Sequence, residues 1–123
     1  MTKEAPHLLM AEDEVFIAMM LEDILSDEGY RVTGVTALEE GLRVVEKSHF
    51  DAAILDVNLG SEQVFPLAAR LRDLGVPFLF ASGYGNEEIP PIFSGYRVLL
   101  KPFDGKALLA SLSQLTTPPT KSL

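Results

Sequence analysis

Short apolar runs alternate with segments of helical periodicity along most of the chain. The runs predict buried strands at about residues 7–12, 31–35, 51–55, 76–81 and 96–100. The segments between them carry apolar residues three and four positions apart, which predicts helices at about residues 14–28, 37–48, 65–73 and 105–115. Strands that alternate with helices are typical of βαβ units in a parallel sheet. We therefore expect a doubly wound α/β sheet of five strands in the order 2-1-3-4-5.

Glycines and prolines indicate where several elements end. Gly29 is placed to end the first helix in a left-handed conformation, and Gly75 ends the third helix. Pro66 suits the first turn of that third helix. The stretch 83–95 holds three glycines and the pair Pro90-Pro91, so at most one short helical turn fits there. The fourth helix of the fold should therefore be short or irregular.

Side chains that can cap a helix precede two of the predicted helices. Thr36 and Glu39 match the capping-box pattern before the second helix. Asp104 takes the N-cap position of the last helix. Residues 57–64, between the third strand and the third helix, are expected to form a loop.

The composition is that of one ordinary globular domain. The chain has 123 residues, of which 47% are hydrophobic and 23% are charged. We expect a domain over residues 7–115, an N-terminal tail over residues 1–6 and a disordered C-terminal tail over residues 116–123. The absence of cysteine excludes disulfides, thiolate nucleophiles and cysteine-ligated metal sites.

The net charge of −8 argues against two classes of partner. DNA phosphates and anionic lipids repel an acidic domain, so neither nucleic acid nor a membrane surface is an expected partner. No apolar run approaches the roughly 20 residues of a membrane-spanning helix. The first residues do not have the pattern of a signal peptide, so we expect a cytoplasmic protein.

Polar side chains with distinct chemistry follow four of the five apolar runs. Glu12 and Asp13 follow the first run, Asp56 the third, Ser82 the fourth and Lys101 the fifth. In a parallel α/β sheet, ligands bind outside the carboxyl ends of the strands, so we expect these side chains to meet there. An acidic pair, a lone carboxylate, a hydroxyl and an ammonium together provide a divalent-cation site, a nucleophile and two ligands for phosphoryl oxygens.

The acidic pair has a simpler interpretation, because acids near a helix N-terminus stabilise the helix dipole. Glu12, Asp13 and Glu14 satisfy that interpretation by themselves. The third carboxylate, Asp56, favours a metal site instead, since clustered carboxylates repel one another unless a cation neutralises them. We therefore expect bound Mg²⁺, which prefers oxygen ligands.

These residues resemble the receiver domains of two-component response regulators. The family's acidic pair, phosphoacceptor aspartate, Ser/Thr and Lys-Pro are matched in order, over about residues 7–115, by Glu12-Asp13, Asp56, Ser82 and Lys101-Pro102. The resemblance implies a CheY-like, flavodoxin-like fold. Residues 76–85, together with Asp56-Val57-Asn58-Leu59, are similar to the "FAT GUY" receivers, a largely stand-alone alphaproteobacterial subgroup.

The resemblance implies a role for each acidic residue. Asp56 would attack the phosphorus of a phosphohistidine on a histidine kinase or phosphotransfer protein. Asp13 and Asp56 would bind Mg²⁺ directly, Asn58 would bind it through its backbone carbonyl, and Glu12 would act through water.

Lys101 and Ser82 would bind phosphoryl oxygens. The family resemblance also favours a cis peptide bond between Lys101 and Pro102. Gly83 has no side chain to block the approach of the phosphoryl group.

The resemblance further implies a single-domain response regulator that signals to a downstream protein target. It would not be an enzyme beyond self-catalysed phosphotransfer and autodephosphorylation. A non-phosphorylated scaffold of receiver fold is one alternative, and a phosphate sink is another.

One position departs from the usual receiver pattern. Most receivers carry Tyr or Phe three residues before the lysine, where this chain has Val98. The usual hydroxyl–aromatic switch is therefore not expected. The aromatic residues that remain near the site are expected to be packing residues: Tyr84, Phe93, Tyr96 and Phe103.

Two other protein classes fit less well. A phosphatase of the haloacid-dehalogenase type would carry its nucleophile at the first strand and a second Asp two positions on, whereas Asn58 lies two positions after Asp56. A flavodoxin-like FMN binder would need a hydroxyl- and glycine-rich loop after the first strand. The acidic residues there would repel a phosphate in the absence of metal.

Overall fold

The structure of the protein is a computed structural model that describes residues 5–115. The predicted C-terminal tail, 116–123, lies outside these residues. The predicted N-terminal tail, 1–6, also lies outside them, apart from Ala5 and Pro6. Between residues 5 and 115, no helix has the length and the apolar character needed to cross a bilayer.

Five of the strands in residues 5–115 form one parallel sheet. The strands are β1 (His7–Ala11), β2 (Arg31–Val35), β3 (Ala52–Asp56), β4 (Asn58–Leu59), β5 (Glu62–Gln63), β6 (Phe78–Ser82) and β7 (Val98–Leu100). Strands β4 and β5 pair only with each other, in antiparallel fashion. The other five run parallel in the order β2-β1-β3-β6-β7, which confirms the predicted 2-1-3-4-5 arrangement.

Helices cover both faces of this sheet. They are α1 (Val15–Asp27), α2 (Leu38–Lys47), α3 (Phe65–Asp73) and α4 (Gly105–Leu115). Helices α1 and α4 pack on one face and α2 and α3 on the other. Alternate residues of β1 and β3 point to opposite layers, as Leu8 and Leu9 do. Strand β3 is therefore buried throughout its length, up to and including Asp56.

The predicted ends of α1 and α3 are confirmed. Gly29 follows α1 with φ +94°, and Gly75 follows α3 with φ +77°. Both values lie in the left-handed region that glycine adopts without a steric penalty. Pro66 stands in the first turn of α3, where its missing N–H costs no hydrogen bond.

The predicted capping box of α2 is wrong by one residue. The N-cap is Ala37, whose side chain cannot accept a hydrogen bond. Glu40 therefore occupies the third helical position, and its Oε1 accepts a hydrogen bond from the backbone N–H of Thr36 at 3.1 Å. The Thr36–Glu39 pair does not form the reciprocal bonds that the pattern indicated.

Two irregular segments contain more structure than the sequence indicated. Residues 57–64, predicted as a loop, hold the β4–β5 hairpin, which turns at Gly60 with φ +63°. The Val64 N–H closes this segment by donating to the Val57 carbonyl at 2.8 Å. Within 83–95 there are two 3₁₀ turns, Gly85–Glu88 and Pro91–Phe93, rather than at most one. The prediction that the helix of this segment, the fourth of the expected fold, is short or irregular is confirmed. It is distinct from α4, which follows β7.

Asp104 caps α4 as predicted. Its Oδ1 accepts a hydrogen bond from the Ala107 N–H at 2.9 Å, and its backbone carbonyl accepts one from the Leu108 N–H.

We expect Asp104→Ala to lower the free energy of unfolding by about 1 kcal/mol, whereas Asp104→Asn should retain the cap. Urea denaturation of the two variants measures the difference. Equal stability of Asp104→Ala and wild type would contradict this role.

Candidate phosphoryl-transfer site

The sheet brings four strand ends to one edge, and each carries a predicted site residue. Strand register places Asp56 beside Ala81, and Ser82 beside Leu100. Ala11, the residue before Glu12, pairs with Leu55, the residue before Asp56. The parallel pairing of the strands therefore fixes the relative positions of these side chains, independently of the contacts between them. The residues gathered at this edge are Glu12, Asp13, Asp56, Ser82 and Lys101.

Three carboxylates form a cluster that could hold a metal ion. One oxygen from each of Glu12, Asp13 and Asp56 lies within 4.8 Å of the other two. Glu12 is only 3% exposed and Asp56 only 7%, whereas Asp13 is half-buried at the rim. Asp13 Oδ2 accepts a hydrogen bond from the Gly60 N–H at 2.8 Å, so the β4–β5 hairpin orients this rim carboxylate.

Lys101 reaches two of these carboxylates. Its Nζ lies 3.1 Å from Asp56 Oδ2 and 3.4 Å from Glu12 Oε1. The side chain is 23% exposed, so both ion pairs are largely shielded from water. The Lys101–Pro102 peptide bond is cis, as the family resemblance favoured. Lys101 therefore contacts both buried carboxylates of the cluster.

Burial dominates the electrostatics of the pocket. It raises the pKa of the Glu12 carboxyl above its ordinary value. The hydrogen bond from the Glu14 N–H and the charge of Lys101 lower this pKa, but they offset burial only in part, and the negative charge of Asp56 raises it further. Burial also raises the pKa of Asp56, against the opposing effect of Lys101. For Lys101, burial favours the neutral amine, but Asp56 and Glu12 outweigh it and the pKa is raised.

The donor set fits Mg²⁺. Hard divalent cations prefer carboxylate oxygens, and the cluster offers three from different positions around one point. Burial disfavours the charged forms of Glu12 and Asp56, and so does the charge of one further carboxylate, Asp56 for Glu12 and Asp13 for Asp56; Lys101 offsets these effects only in part. A divalent cation among these oxygens would stabilise the ionised forms.

Ser82 ends β6 with its hydroxyl engaged by a residue that the sequence analysis did not single out. The Oγ donates to Oε1 of Glu88 at 2.7 Å and accepts from the Tyr84 N–H at 3.0 Å. Ser82 is almost fully buried, and Glu88 ends the first 3₁₀ turn. The sequence indicates this contact only through the acidic pair Glu87-Glu88, because the contact depends on how the loop after β6 folds back.

Asn58 lies in β4, two residues after Asp56, and is exposed. Its side-chain Nδ2 donates to Glu88 Oε2 at 3.1 Å. Its backbone carbonyl was predicted as a metal ligand, and that role stays a prediction.

The aromatic residues near the site are packing residues, with one exception. Phe93 and Tyr96 pack with Phe78, whose ring stacks on that of Tyr96 at a centroid distance of 4.3 Å. Phe103 packs against the α1–α4 layer. Tyr84 was also predicted to pack, but that prediction is wrong, because its side chain is 69% exposed.

Comparison with known proteins identifies the family. The profile of the response regulator receiver domain matches residues 8–113. The chain belongs to this family. Receiver domains are phosphoacceptor signalling domains rather than conventional enzymes, and they interact with histidine kinases or phosphotransfer proteins. The proposed "FAT GUY" subgroup stays a prediction.

Two solved receivers are informative relatives. SdrG from Sphingomonas melonis Fr1 is 38% identical with a TM-score of 0.79, covering 93% of this chain and 98% of SdrG. A response regulator from Burkholderia pseudomallei is 26% identical with a TM-score of 0.78, covering 87% of this chain and 66% of that one. The latter structure contains a phosphorylated aspartic acid, a calcium ion and citrate.

Curated relatives are longer than this receiver. The uncharacterized transcriptional regulatory protein YbdJ of Bacillus subtilis is 32% identical over 88% of this chain, which spans 49% of YbdJ. The two-component response regulator PhoP of Pseudomonas aeruginosa is 31% identical over 88% of this chain and 50% of PhoP. The chain thus spans about half the length of these two relatives.

A cation in the cluster should stabilise the fold by mass action. At Mg²⁺ concentrations about 100 times the dissociation constant, the free energy of unfolding should rise by about 2.7 kcal/mol. Thermal melting in EDTA and in millimolar Mg²⁺ measures the change. Asp13→Asn should lose most of it while keeping an oxygen for the Gly60 N–H.

The matched control for this experiment is Asp23→Asn, an exposed carboxylate on α1 away from the cluster. It should retain the full Mg²⁺ effect. A wild-type protein whose melting and titration are both indifferent to Mg²⁺ would contradict the metal assignment.

Proposed function

We propose that Asp56 accepts a phosphoryl group from a phosphohistidine of a histidine kinase or phosphotransfer protein. The observation that carries this proposal is the position of the Asp56 carboxylate: it lies 3.1 Å from Lys101 Nζ and inside a cluster with two further carboxylates. A salt bridge alone would need neither the cluster nor the serine at the neighbouring strand end.

The transfer needs one nucleophile and several charge-stabilising ligands. A carboxylate oxygen of Asp56 forms a bond to phosphorus while the phosphorus–nitrogen bond of the donor imidazole breaks. The imidazole nitrogen keeps the electron pair and takes up a proton, and Asp56 becomes an acyl phosphate. Charge spreads over the three equatorial oxygens in the transition state, so positioning and neutralisation dominate catalysis.

Lys101 and Ser82 supply that neutralisation from two strand ends. Lys101 already contacts Asp56 and can move to an oxygen of the attached phosphoryl group. Ser82 follows Ala81, which pairs with Asp56 across the β3–β6 ladder, so its hydroxyl can donate to a second oxygen.

Mg²⁺ held by Glu12, Asp13, Asp56 and the Asn58 carbonyl would neutralise phosphoryl charge during transfer. The phosphorylated aspartic acid and calcium ion of the Burkholderia pseudomallei relative support this assignment for an aspartate in a metal-binding receiver.

The donor protein must approach over the open edge of the sheet, beside α1. The first half of α1 presents an apolar surface, where Phe16 is 86% exposed. Val15, Met19 and Met20 are also exposed. This surface adjoins an apolar cleft lined by Ile17, Leu21, Lys101, Pro102 and Phe103. We infer that the donor docks here, since an exposed apolar patch next to a reactive group indicates a partner surface.

The phosphoacceptor assignment is tested by labelling. Incubation with acetyl phosphate or a cognate kinase in Mg²⁺ should label the wild-type protein, and Asp56→Asn should abolish the label. Asp23→Asn, with the same change of charge on an exposed residue of α1, should label normally. Undiminished labelling of Asp56→Asn would contradict the assignment.

The signal should leave through the segment 83–97 and the adjoining α4 surface. Val98 is half-buried against the α2–α3 layer and offers no aromatic relay. The segment from Ser82 to β7 instead contains two 3₁₀ turns joined by Ile89 and Pro90, and irregular segments of this kind are candidates for switching.

Backbone NMR with and without beryllofluoride, a mimic of the acyl phosphate, tests this route. Outside the acidic pocket, the largest chemical-shift changes should fall in residues 83–97. Changes confined to α1 and α2, with residues 83–97 unmoved, would refute the route.

A further inference from the structure

Glu88 joins two parts of the site that are far apart in sequence. Its Oε1 accepts from the Ser82 hydroxyl at 2.7 Å, and its Oε2 accepts from Asn58 Nδ2 at 3.1 Å. One carboxylate therefore links the end of β6 to the β4–β5 hairpin. Both partners belong to the phosphoryl-transfer site proposed above, whereas Glu88 has no role in that chemistry.

The contact to Ser82 competes with the proposed catalytic role of that residue. A serine hydroxyl has one O–H to donate. In this structure the donor is committed to Glu88, and the Tyr84 N–H occupies an acceptor position on the same oxygen. Ser82 can therefore bind a phosphoryl oxygen only after its bond to Glu88 breaks.

Charge also opposes the coexistence of Glu88 and a phosphoryl group. A phosphorylated side chain carries a charge of about −1.5 to −2 near neutral pH. Within residues 5–115, Glu88 forms no salt bridge with a lysine or arginine, and the Lys101 ammonium of the site pairs with Glu12 and Asp56. A phosphoryl oxygen that reached Ser82 would bring a second anion to the hydroxyl that already binds the Glu88 carboxylate.

The release of Glu88 would free a defined segment. Glu88 ends the 3₁₀ turn Gly85–Glu88, which packs against β6 and β7. The residues that follow, Ile89 and Phe93, line a pocket with Asn86 and Tyr96 on the α2–α3 side. Movement of the turn would therefore alter a surface near the centre of the segment 83–97.

We propose that Glu88 is a latch of the unphosphorylated state. Its carboxylate holds the Gly85–Glu88 turn on Ser82 and Asn58, and phosphorylation of Asp56 displaces it by taking the Ser82 donor and adding negative charge. The proposal rests on the function proposed above, since it takes Ser82 to be a phosphoryl ligand.

The test compares Glu88→Ala with Glu87→Ala by NMR in Mg²⁺. Glu87 is exposed on the same turn, and its side chain makes no hydrogen bond or ion pair with another residue of the 5–115 range, so Glu87→Ala matches the lost charge without the latch. Without beryllofluoride, Glu88→Ala should shift the resonances of residues 82–89 toward their positions in beryllofluoride-bound wild type. Glu87→Ala should leave them near wild type.

A beryllofluoride titration measures the energetic cost of the latch. Glu88→Ala should lower the apparent dissociation constant about tenfold, or about 1.4 kcal/mol, because the loss of a hydrogen bond to a charged group is of that order. Glu88→Gln removes the charge but keeps an acceptor oxygen, so it should give a smaller decrease. Glu87→Ala should match wild type.

Asp56→Asn separates the two ways in which the idea can fail. If wild type responds to beryllofluoride, Asp56→Asn does not, and Glu88→Ala behaves like Glu87→Ala in both measurements, the latch is refuted and the phosphoacceptor role stands. If wild type responds no more than Asp56→Asn, the phosphoacceptor role fails and the latch fails with it.

Discussion

The ion pairs of Lys101 with Asp56 and Glu12 are the interaction on which the site depends. The fold places two buried carboxylates at neighbouring strand ends, and their repulsion and desolvation would otherwise destabilise that edge of the sheet. Removing one partner of a buried pair typically costs about 3–5 kcal/mol, because the other charge is left without compensation. One ammonium cannot fully compensate two carboxylates. The residual negative charge makes the pocket receptive to a divalent cation.

A parallel sheet is what makes this arrangement possible with so few residues. Strand β3 is buried throughout, and its last residue, Asp56, lies at the edge of the sheet where Ser82 and Lys101 also lie. This part of the site could be predicted from the sequence, since each side chain directly follows an apolar run whose length sets the strand end. The role of Asp104 was also predictable, because a helix cap acts within three residues of its own position.

The features that the sequence analysis missed depend on displacements of one residue or on contacts across long loops. The capping box of α2 failed because the helix begins one residue later than the pattern suggests, with Ala37 as its cap. The β4–β5 hairpin needs the Val57–Val64 backbone bond, which no local pattern encodes. Glu88 was missed because its two partners lie six and thirty residues away, and only the folded loop brings them together.

The irregular segment after β6 also explains why one face of the sheet relies on aromatic packing. No regular α-helix covers the sheet in this segment on the α2–α3 side. The Pro91–Phe93 turn instead places Phe93 in contact with four aromatic rings, those of Phe65, Phe78, Phe80 and Tyr96. Arg72 lies over the outer side of Phe93, 5.4 Å from its centroid. The second turn is thus anchored by burial, whereas the Gly85–Glu88 turn buries no residue and is held to the site by the polar contacts of Glu88. A competing anion can break the hydrogen bonds to the Glu88 carboxylate, but it does not weaken the burial of Phe93. A charge-driven rearrangement should therefore move the Gly85–Glu88 turn first, while the Pro91–Phe93 turn stays in place.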